Sequence, residues 1–116
     1  MRRLNIWLPK MLKTTSHRSN KIRESARGQS CTLLFPGIDN HDSATVVWCH
    51  SPFIGDGPSM GAKSHDFCGC YGCSQCHDIL DGRRKTAYDR ETLRHYFNEA
   101  MKKSLIRLWE MKVKIW

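Results

Sequence analysis

Residues 70–83, CYGCSQCHDILDGR, carry three cysteines, one histidine and two aspartates in a single short stretch. Cys73 and Cys76 form a C-x-x-C pair, whose spacing lets two thiolates reach one tetrahedral zinc ion from a turn that enters a helix. Redox pairs of the thioredoxin type share this spacing, but they follow a strand in a βαβ unit, for which this chain is too short and too basic. The pair therefore predicts half of a structural zinc site on a short helix, from about Cys73 to Leu80, that Gly82 ends.

A tetrahedral zinc site needs two ligands besides this pair. Cys31 is the best third candidate, because the apolar run CTLLF that it begins predicts a strand before the tight turn PGIDN. The fourth ligand is open among Asp39, His41, Cys68 and Cys70. The alternative interpretation of Cys31, Cys49 and Cys68 is that each is a reduced cysteine that packs as a small hydrophobic side chain.

His77 and Asp81 lie four residues apart on the same short helix, so their side chains share one face. Imidazole and carboxylate at this spacing can bind a divalent cation and leave coordination positions for water and a phosphate oxygen. An exposed His–Asp pair on a solvated helix face has the same spacing. The pattern alone therefore favours neither interpretation.

His50 supports the first of these interpretations. It ends the apolar run ATVVWCH, which predicts a strand, and precedes the Gly-, Pro- and Ser-rich segment 51–65, which predicts a functional loop. The end of a strand beside such a loop is a suitable place for a general base that meets substrate. The alternative is an ordinary half-buried histidine.

Charge is distributed unevenly along the chain. Residues 1–30 have a net charge of +7, residues 31–82 of −5 and residues 83–116 of +6. An acidic, cysteine- and histidine-rich centre between two basic arms favours a cation-binding site that is brought to a polyanion such as DNA. The alternative is a solvated basic surface.

The 116 residues predict one small domain over 21–116, preceded by a flexible basic extension over 1–20. No apolar run approaches twenty residues, so no membrane span is expected. The basic start lacks the unbroken apolar core of a signal peptide, so the cysteines should be reduced, which favours metal binding over disulfides.

Two further helices are expected around this centre. NKIRESARGQ predicts a short N-terminal helix between an Asn20 N-cap and Gly28. Asp89 predicts the start of a long C-terminal helix that reaches about Trp109. The apolar stripe of the long helix, which we assign to core packing, consists of Leu93, Tyr96, Phe97, Ala100, Met101, Leu105, Leu108 and Trp109.

The order of these features resembles the HNH, or His-Me finger, nuclease superfamily with its ββα-metal core. It is more closely similar to the small phage and prophage nucleases of the YbcO type. The resemblance covers roughly residues 24–85, and the stretches that carry it are ESARGQSCTLLFPGIDN, TVVWCHSPF, KSHDF and YGCSQCHDILDGR.

The resemblance implies an α+β fold, in which a small ββα-metal core is combined with a structural zinc site and the two outer helices. It implies that His50 is the general base and that His77 and Asp81 hold a catalytic divalent metal, Mg²⁺ or another cation. Cys31, Cys73 and Cys76 would bind a separate structural Zn²⁺. Relatives carry a cysteine at the position of Asp39, so the resemblance makes Asp39 the fourth zinc ligand.

The chain departs from the superfamily pattern at two positions. Cys49 stands where many members have a metal-binding acid or histidine. The asparagine that usually positions the catalytic histidine falls near Cys68, with His65 and Asp66 close by, so that role has no assigned residue.

We therefore expect a metal-dependent DNA endonuclease in the cytoplasm of a bacterial host, with contacts to the DNA backbone through its basic arms and no contact with a membrane. A homodimer would bring two sites to the two strands of a duplex. The first alternative is a non-catalytic, zinc-stabilised DNA-binding module, which needs only the cysteines and the basic arms. Cysteine redox chemistry is the second alternative.

Overall fold

The computed structural model describes residues 17–53 and 64–114. Within these residues the chain is a mixed α+β structure, as predicted, and no helix in them is long and apolar enough to cross a bilayer. The elements in chain order are α1 (Asn20–Glu24), a 3-10 turn (Ser43–Thr45), β1 (Val47–His50), β2 (Gly69–Gly72), α2 (Ser74–Leu80) and α3 (Arg90–Glu110). Strand, strand and helix therefore follow one another at the centre of the chain.

β1 and β2 form an antiparallel pair whose register places Trp48 opposite Tyr71 and His50 opposite Gly69. The indole and phenol rings meet edge to face at 5.2 Å between centroids. A Cβ at Gly69 would lie 2.5 Å from the Trp48 indole nitrogen, so only glycine fits at this position. The sequence GCYG was not predicted as a strand because it lacks the β-branched residues that are typical of strands.

The predicted long helix is present as α3, and the Asp89 carboxylate caps it by accepting the Thr92 amide at 2.8 Å. Its buried face packs on β2. The predicted stripe is right at Leu108, which is buried, and wrong at Leu105 and Trp109, which are 38% and 80% exposed. Buried Ser104 lies on that face instead, and its hydroxyl accepts the Tyr71 amide at 3.1 Å.

The segment CTLLF is not a strand, which corrects the prediction from its apolar run. Thr32 donates its amide to Tyr71 at 2.7 Å, but Leu34 has a φ of 51°, which takes the backbone out of the extended region. The amides of Ile38 and Asp39 then both donate to the Phe35 carbonyl, closing a tight turn. This turn returns the chain toward the N-terminus of α2.

The N-terminal helix is shorter than predicted. Ser19, rather than Asn20, is the N-cap of α1, because its hydroxyl accepts the Ile22 amide at 3.3 Å, and the helix ends at Glu24 instead of near Gly28. Residues 17–19 belong to the segment expected to be a flexible extension, yet they hydrogen-bond to residues 64–66. The rest of that extension, 1–16, and most of the expected loop, 54–63, lie outside the described residues.

Candidate metal centre and active site

The structure brings together four of the residues that the sequence marked as zinc ligands. The thiol sulfurs of Cys31, Cys73 and Cys76 and a carboxylate oxygen of Asp39 all lie within 4.8 Å of one another. Sulfur ligands of a tetrahedral zinc ion, at 2.3 Å from the metal, are separated by about 3.8 Å. A contraction of about 1 Å would close these four residues around one ion, so the donor set fits zinc.

Two segments deliver these ligands. Cys73 is the N-cap of α2 and Cys76 lies in its first turn, where the Cys76 amide points at the Cys73 sulfur at 3.5 Å. Cys31 and Asp39 come from the two sides of the turn at Phe35. The positive φ of Leu34 interrupts the expected strand, and the chain turns back after it. Cys31, before the turn, and Asp39, after it, therefore both reach the cysteines at the start of α2.

The electrostatics of the cluster favour metal binding. A hydrogen bond from Cys76 lowers the pKa of Cys31 to about 7, although burial raises it. The same hydrogen bond and burial raise the pKa of Cys76. The hydrogen bond thus favours a thiolate on Cys31 beside the Cys76 thiol, and a thiolate is the form that binds a metal ion.

The other three candidates for the fourth ligand lie outside this cluster. His41 is 82% exposed, and its Nδ1 lies 3.5 Å from the Asp39 carboxylate. Cys70 lies opposite Cys49 across the sheet, and neither Cys70 nor Cys68 is among the residues whose ligand atoms lie within 4.8 Å of one another. The described residues therefore place Asp39 with the three cysteines.

His77 and Asp81 form a second pair on α2. The His77 Nε2 atom lies 2.9 Å from a carboxylate oxygen of Asp81, and both side chains are half-buried. Two ligands bound at right angles, each about 2.1 Å from a cation, lie about 3 Å apart, so this pair has the spacing that a shared divalent ion requires. His77 follows Cys76 directly and lies outside the thiol cluster, so one short helix carries residues of the thiol cluster and, separately, the His77–Asp81 pair.

The carboxylate of Asp81 is held in its charged form. Burial raises its pKa, but the hydrogen bond and charge of His77, followed by the charges of Arg83 and His50, outweigh burial and lower the pKa below its usual range. An ionised carboxylate is the form that binds a cation. Because the charge of His50 also lowers the pKa of Asp81, the end of β1 and this face of α2 interact electrostatically.

His50 is fixed by a carboxylate that the sequence analysis did not assign. Its Nε2 lies 2.7 Å from Asp66, which is fully buried. Because a carboxylate accepts and does not donate, it favours the tautomer that carries the proton on Nε2 and leaves the lone pair on Nδ1. A neutral His50 held in this way would have its Nδ1 lone pair available to accept a proton.

Asp66 is itself held from three sides. The Ser19 amide, at 2.5 Å, and the Arg18 guanidinium, at 3.0 Å, donate to its carboxylate, and Arg23 lies 3.4 Å away. Burial raises the pKa of Asp66, but the Ser19 amide, His50 and Arg18 together bring it below its usual range. The side chain was missed because its role depends on contacts with residues more than forty positions away along the chain.

Cys49 is not among the residues of the thiol cluster. It pairs with Cys70 across the sheet, and both side chains are fully buried. The hydrogen bond with Cys70 and burial raise the pKa of the Cys49 thiol, so it stays protonated. The residue that stands at a metal-binding position of the resembled superfamily is thus a core residue here.

Comparisons with known proteins place the chain in a family. The family model described as "Putative nuclease YbcO" matches residues 20–113. Two curated relatives, "Putative nuclease YbcO" of Escherichia coli strain K12 and "Putative nuclease ybcO" of Enterobacteria phage 82, are each 36% identical over 62 residues, or 53% of this chain. The chain covers 64% of the length of each of these relatives.

A solved structure is also similar. It is titled "Structure of a putative bacteriophage protein from Escherichia coli str. K-12 substr. MG1655" and is 27% identical, with a TM-score of 0.63. The match covers 79% of this chain and 100% of that one. With most of its length matched by the family model, the chain belongs to the phage-type nuclease family described as "Putative nuclease YbcO".

Proposed function

We propose that the protein is a metal-dependent DNA endonuclease with an HNH-type ββα-metal core, which hydrolyses phosphodiester bonds. The observation that carries the proposal is the 2.7 Å hydrogen bond between His50 and the buried carboxylate of Asp66. This hydrogen bond fixes the histidine at the end of β1, close enough to the His77–Asp81 pair on α2 for its charge to lower the pKa of Asp81. A general base beside a cation site is expected to have this arrangement.

Each residue has a defined task in this proposal. His50 takes a proton from a water molecule at Nδ1, while Asp66 holds the ring and balances the positive charge that the ring acquires. Arg18 and Arg23 both form ion pairs with Asp66 and so hold the carboxylate that orients His50. A divalent cation at His77 and Asp81, Mg²⁺ or another ion, would supply charge that stabilises the phosphate and the leaving oxygen.

The thiol cluster has a structural task. A Zn²⁺ ion bound by Cys31, Asp39, Cys73 and Cys76 would join the turn at Phe35 to the start of α2. We also propose that residues 21–116 belong to one domain, to which residues 17–20 contribute the start of α1 and hydrogen bonds with residues 64–66. The enzyme would act on DNA in the host cytoplasm, and a homodimer would supply one site for each strand.

Plasmid cleavage tests the proposal. Wild type should nick supercoiled DNA when Mg²⁺ or Mn²⁺ is added, and His50→Ala should remove nicking while zinc content and melting temperature stay unchanged. His95→Ala is the matched control, because His95 lies on α3 beside a cavity with Tyr96 and contacts neither metal site. Equal nicking by His50→Ala and wild type would refute the role of His50.

The second candidate function is a DNA-binding module without catalysis. The fit of the thiol cluster to zinc and the basic arms favour it, since both are independent of His50. It predicts that wild type leaves the plasmid intact under every metal condition, and that His50→Ala and wild type bind DNA with equal affinity and equal salt dependence.

A further inference from the structure

The C-terminal end of α2 holds an arginine against the candidate cation ligand Asp81. Gly82 has a φ of 77°, and its amide donates to the Ile79 carbonyl at 3.2 Å. The Arg83 amide donates to the Asp78 carbonyl at 2.9 Å. These two hydrogen bonds form a Schellman motif, which ends the helix and fixes the backbone of Arg83 beside its last turn.

The guanidinium of Arg83 lies between two carboxylates of the same helix. Its Nη2 atom is 3.3 Å from Oδ2 of Asp81, and its Nη1 atom is 3.6 Å from Oδ1 of Asp78. The Oδ2 atom of Asp81 is also the oxygen that lies 2.9 Å from Nε2 of His77. The arginine therefore contacts the same oxygen that the proposed cation would share with His77.

A divalent cation and Arg83 exclude each other at this oxygen. A cation about 2.1 Å from Oδ2 of Asp81 would lie at most about 5.4 Å from Nη2 of Arg83, which is that distance added to the 3.3 Å contact. Two positive groups this close repel each other. The Arg83 side chain is 64% exposed, so it can turn away from Asp81 without opening the core.

A phosphodiester is a suitable ligand for the displaced guanidinium. Its oxygens accept hydrogen bonds from the planar N–H fork of an arginine, and the opposite charges strengthen these bonds. A phosphate that binds the cation through one oxygen has its other oxygens about 3–5 Å from Oδ2 of Asp81. The guanidinium of Arg83 already reaches this region, so it can move from the carboxylate to the phosphate.

We propose that Arg83 competes with the divalent cation for Asp81, and that DNA relieves this competition when one of its phosphates binds the guanidinium. The cation and the phosphodiester then bind cooperatively. The inference rests on the proposed function and names the residue that regulates occupation of the cation site. The cooperativity is reciprocal, because DNA and the cation raise the affinity for each other by the same factor.

Binding of Mn²⁺ to the zinc-loaded protein tests the competition without DNA. The electron paramagnetic resonance signal of free Mn²⁺ gives the dissociation constant, and Asp81→Ala should remove this binding. Arg83→Gln should bind Mn²⁺ about three- to ten-fold more tightly than wild type, because the competing charge is gone. Arg83→Lys keeps the charge and should bind Mn²⁺ as wild type does.

Arg84→Gln is the matched control for the lost charge. The Arg84 guanidinium donates at 2.7 Å to the side-chain oxygen of Gln75, which is neutral, and it contacts no candidate cation ligand. Screening by salt weakens its effect on the cation, so Arg84→Gln should change the Mn²⁺ affinity by less than about 1.5-fold. Melting temperatures show that each variant is folded.

Duplex binding tests the cooperativity. The His50→Ala protein serves as the parent, so that a short fluorescent duplex stays intact, and anisotropy gives its dissociation constant with and without Mn²⁺. Chelators are omitted, so that zinc stays bound. Mn²⁺ should tighten duplex binding by the parent, and Arg83→Gln should reduce this effect about three- to ten-fold, because Asp81 is then free of competition before DNA binds. Arg84→Gln should leave the effect of Mn²⁺ unchanged.

The possible results distinguish this inference from the proposed function. Equal Mn²⁺ affinities of folded Arg83→Gln and Arg84→Gln overturn the inference and leave the plasmid result standing. An unchanged effect of Mn²⁺ on duplex binding by Arg83→Gln also overturns it, as does Mn²⁺ binding that is absent or that Asp81→Ala retains. Tighter Mn²⁺ binding with reduced cooperativity, in a protein that nicks no plasmid, supports the inference and refutes the proposed catalysis.

Discussion

Replacing Asp66 by asparagine is the sharpest test of the network around His50. The side chain keeps its shape, but one carboxylate oxygen becomes an NH₂ group, which donates and cannot accept. One oxygen faces the Ser19 amide and Arg23, and the other faces His50 and Arg18. Whichever way the asparagine turns, its NH₂ group meets two donors.

The expected loss of stability follows from these contacts. A hydrogen bond to a buried charged group contributes about 1.5–3 kcal/mol. The side chains of Arg18 and Arg23 are 36% and 40% exposed, so water can replace the hydrogen bonds that they lose with the carboxylate. Their ion pairs therefore contribute little to the loss of stability. The buried contacts with Ser19 and His50 dominate, and we expect Asp66→Asn to lower the free energy of unfolding by about 2–4 kcal/mol at pH 7.

The pH dependence of this loss has a defined sign. Because the pKa of Asp66 is lowered in the folded protein, its contribution is fully present above the unfolded value of about 3.9. The contribution disappears as the pH falls through the folded pKa. The difference between wild type and Asp66→Asn should therefore shrink as the pH falls below about 4.

Denaturant unfolding of the two zinc-loaded proteins measures this difference. Asp78→Asn is the matched control, because Asp78 is 40% exposed and its partner Arg83 lies 3.6 Å away, so it should cost less than about 0.5 kcal/mol. In the plasmid assay, Asp66→Asn should also slow nicking by about 10²–10⁴-fold, since the Nδ1 lone pair of His50 is no longer guaranteed. A stability loss below about 1 kcal/mol, equal to that of the control, would refute the network.

Four further changes test the two metal sites and the N-terminal extension. Cys73→Ser should reduce bound zinc, measured by elemental analysis, and lower the melting temperature; unchanged values would contradict the structural site. Asp39→Cys should slow zinc transfer to a chelator, because a thiolate is a softer ligand than a carboxylate. Asp81→Ala should remove cation-dependent nicking while Asp78→Ala retains it, and full activity of the former would show that Asp81 is no ligand. Deleting residues 1–10 should barely change the melting temperature, and a large drop would show that they pack on the core.

The sequence predicted the elements whose signals are local. Asp89 and the apolar residues after it predicted α3, because a cap and a helical period are both read within one segment. The stripe failed at Leu105 and Trp109, since burial there depends on what the rest of the chain covers. The helical period places a residue on a face but does not say how far along the helix that face is covered.

The elements that depend on distant partners were not predicted. β2 needs its glycines because Trp48 and Cys49 leave no room for a Cβ, and that pairing is visible only in three dimensions. The apolar run around Leu34 predicted a strand. Leu34 instead has a positive φ, and the chain turns so that Cys31 and Asp39 both lie beside the cysteines of α2. All four residues of the thiol cluster could be selected from the sequence as candidate ligands. The role of Asp66 follows only from its contacts with Ser19 and Arg18 in the structure.

The two candidate sites depend on each other through α2. This helix has seven residues, too few to be stable alone, and it carries a thiol-cluster residue at its N-cap and another in its first turn. His77 and Asp81 occupy its second half, so their distance from His50 is set by whatever holds the helix in place. His50 is placed by β1 and Asp66, which contain no residue of the thiol cluster. If the protein has the function we propose, loss of zinc from the thiol cluster should displace His77 and Asp81 and leave His50 in place, so cleavage would depend on zinc without zinc having a chemical role.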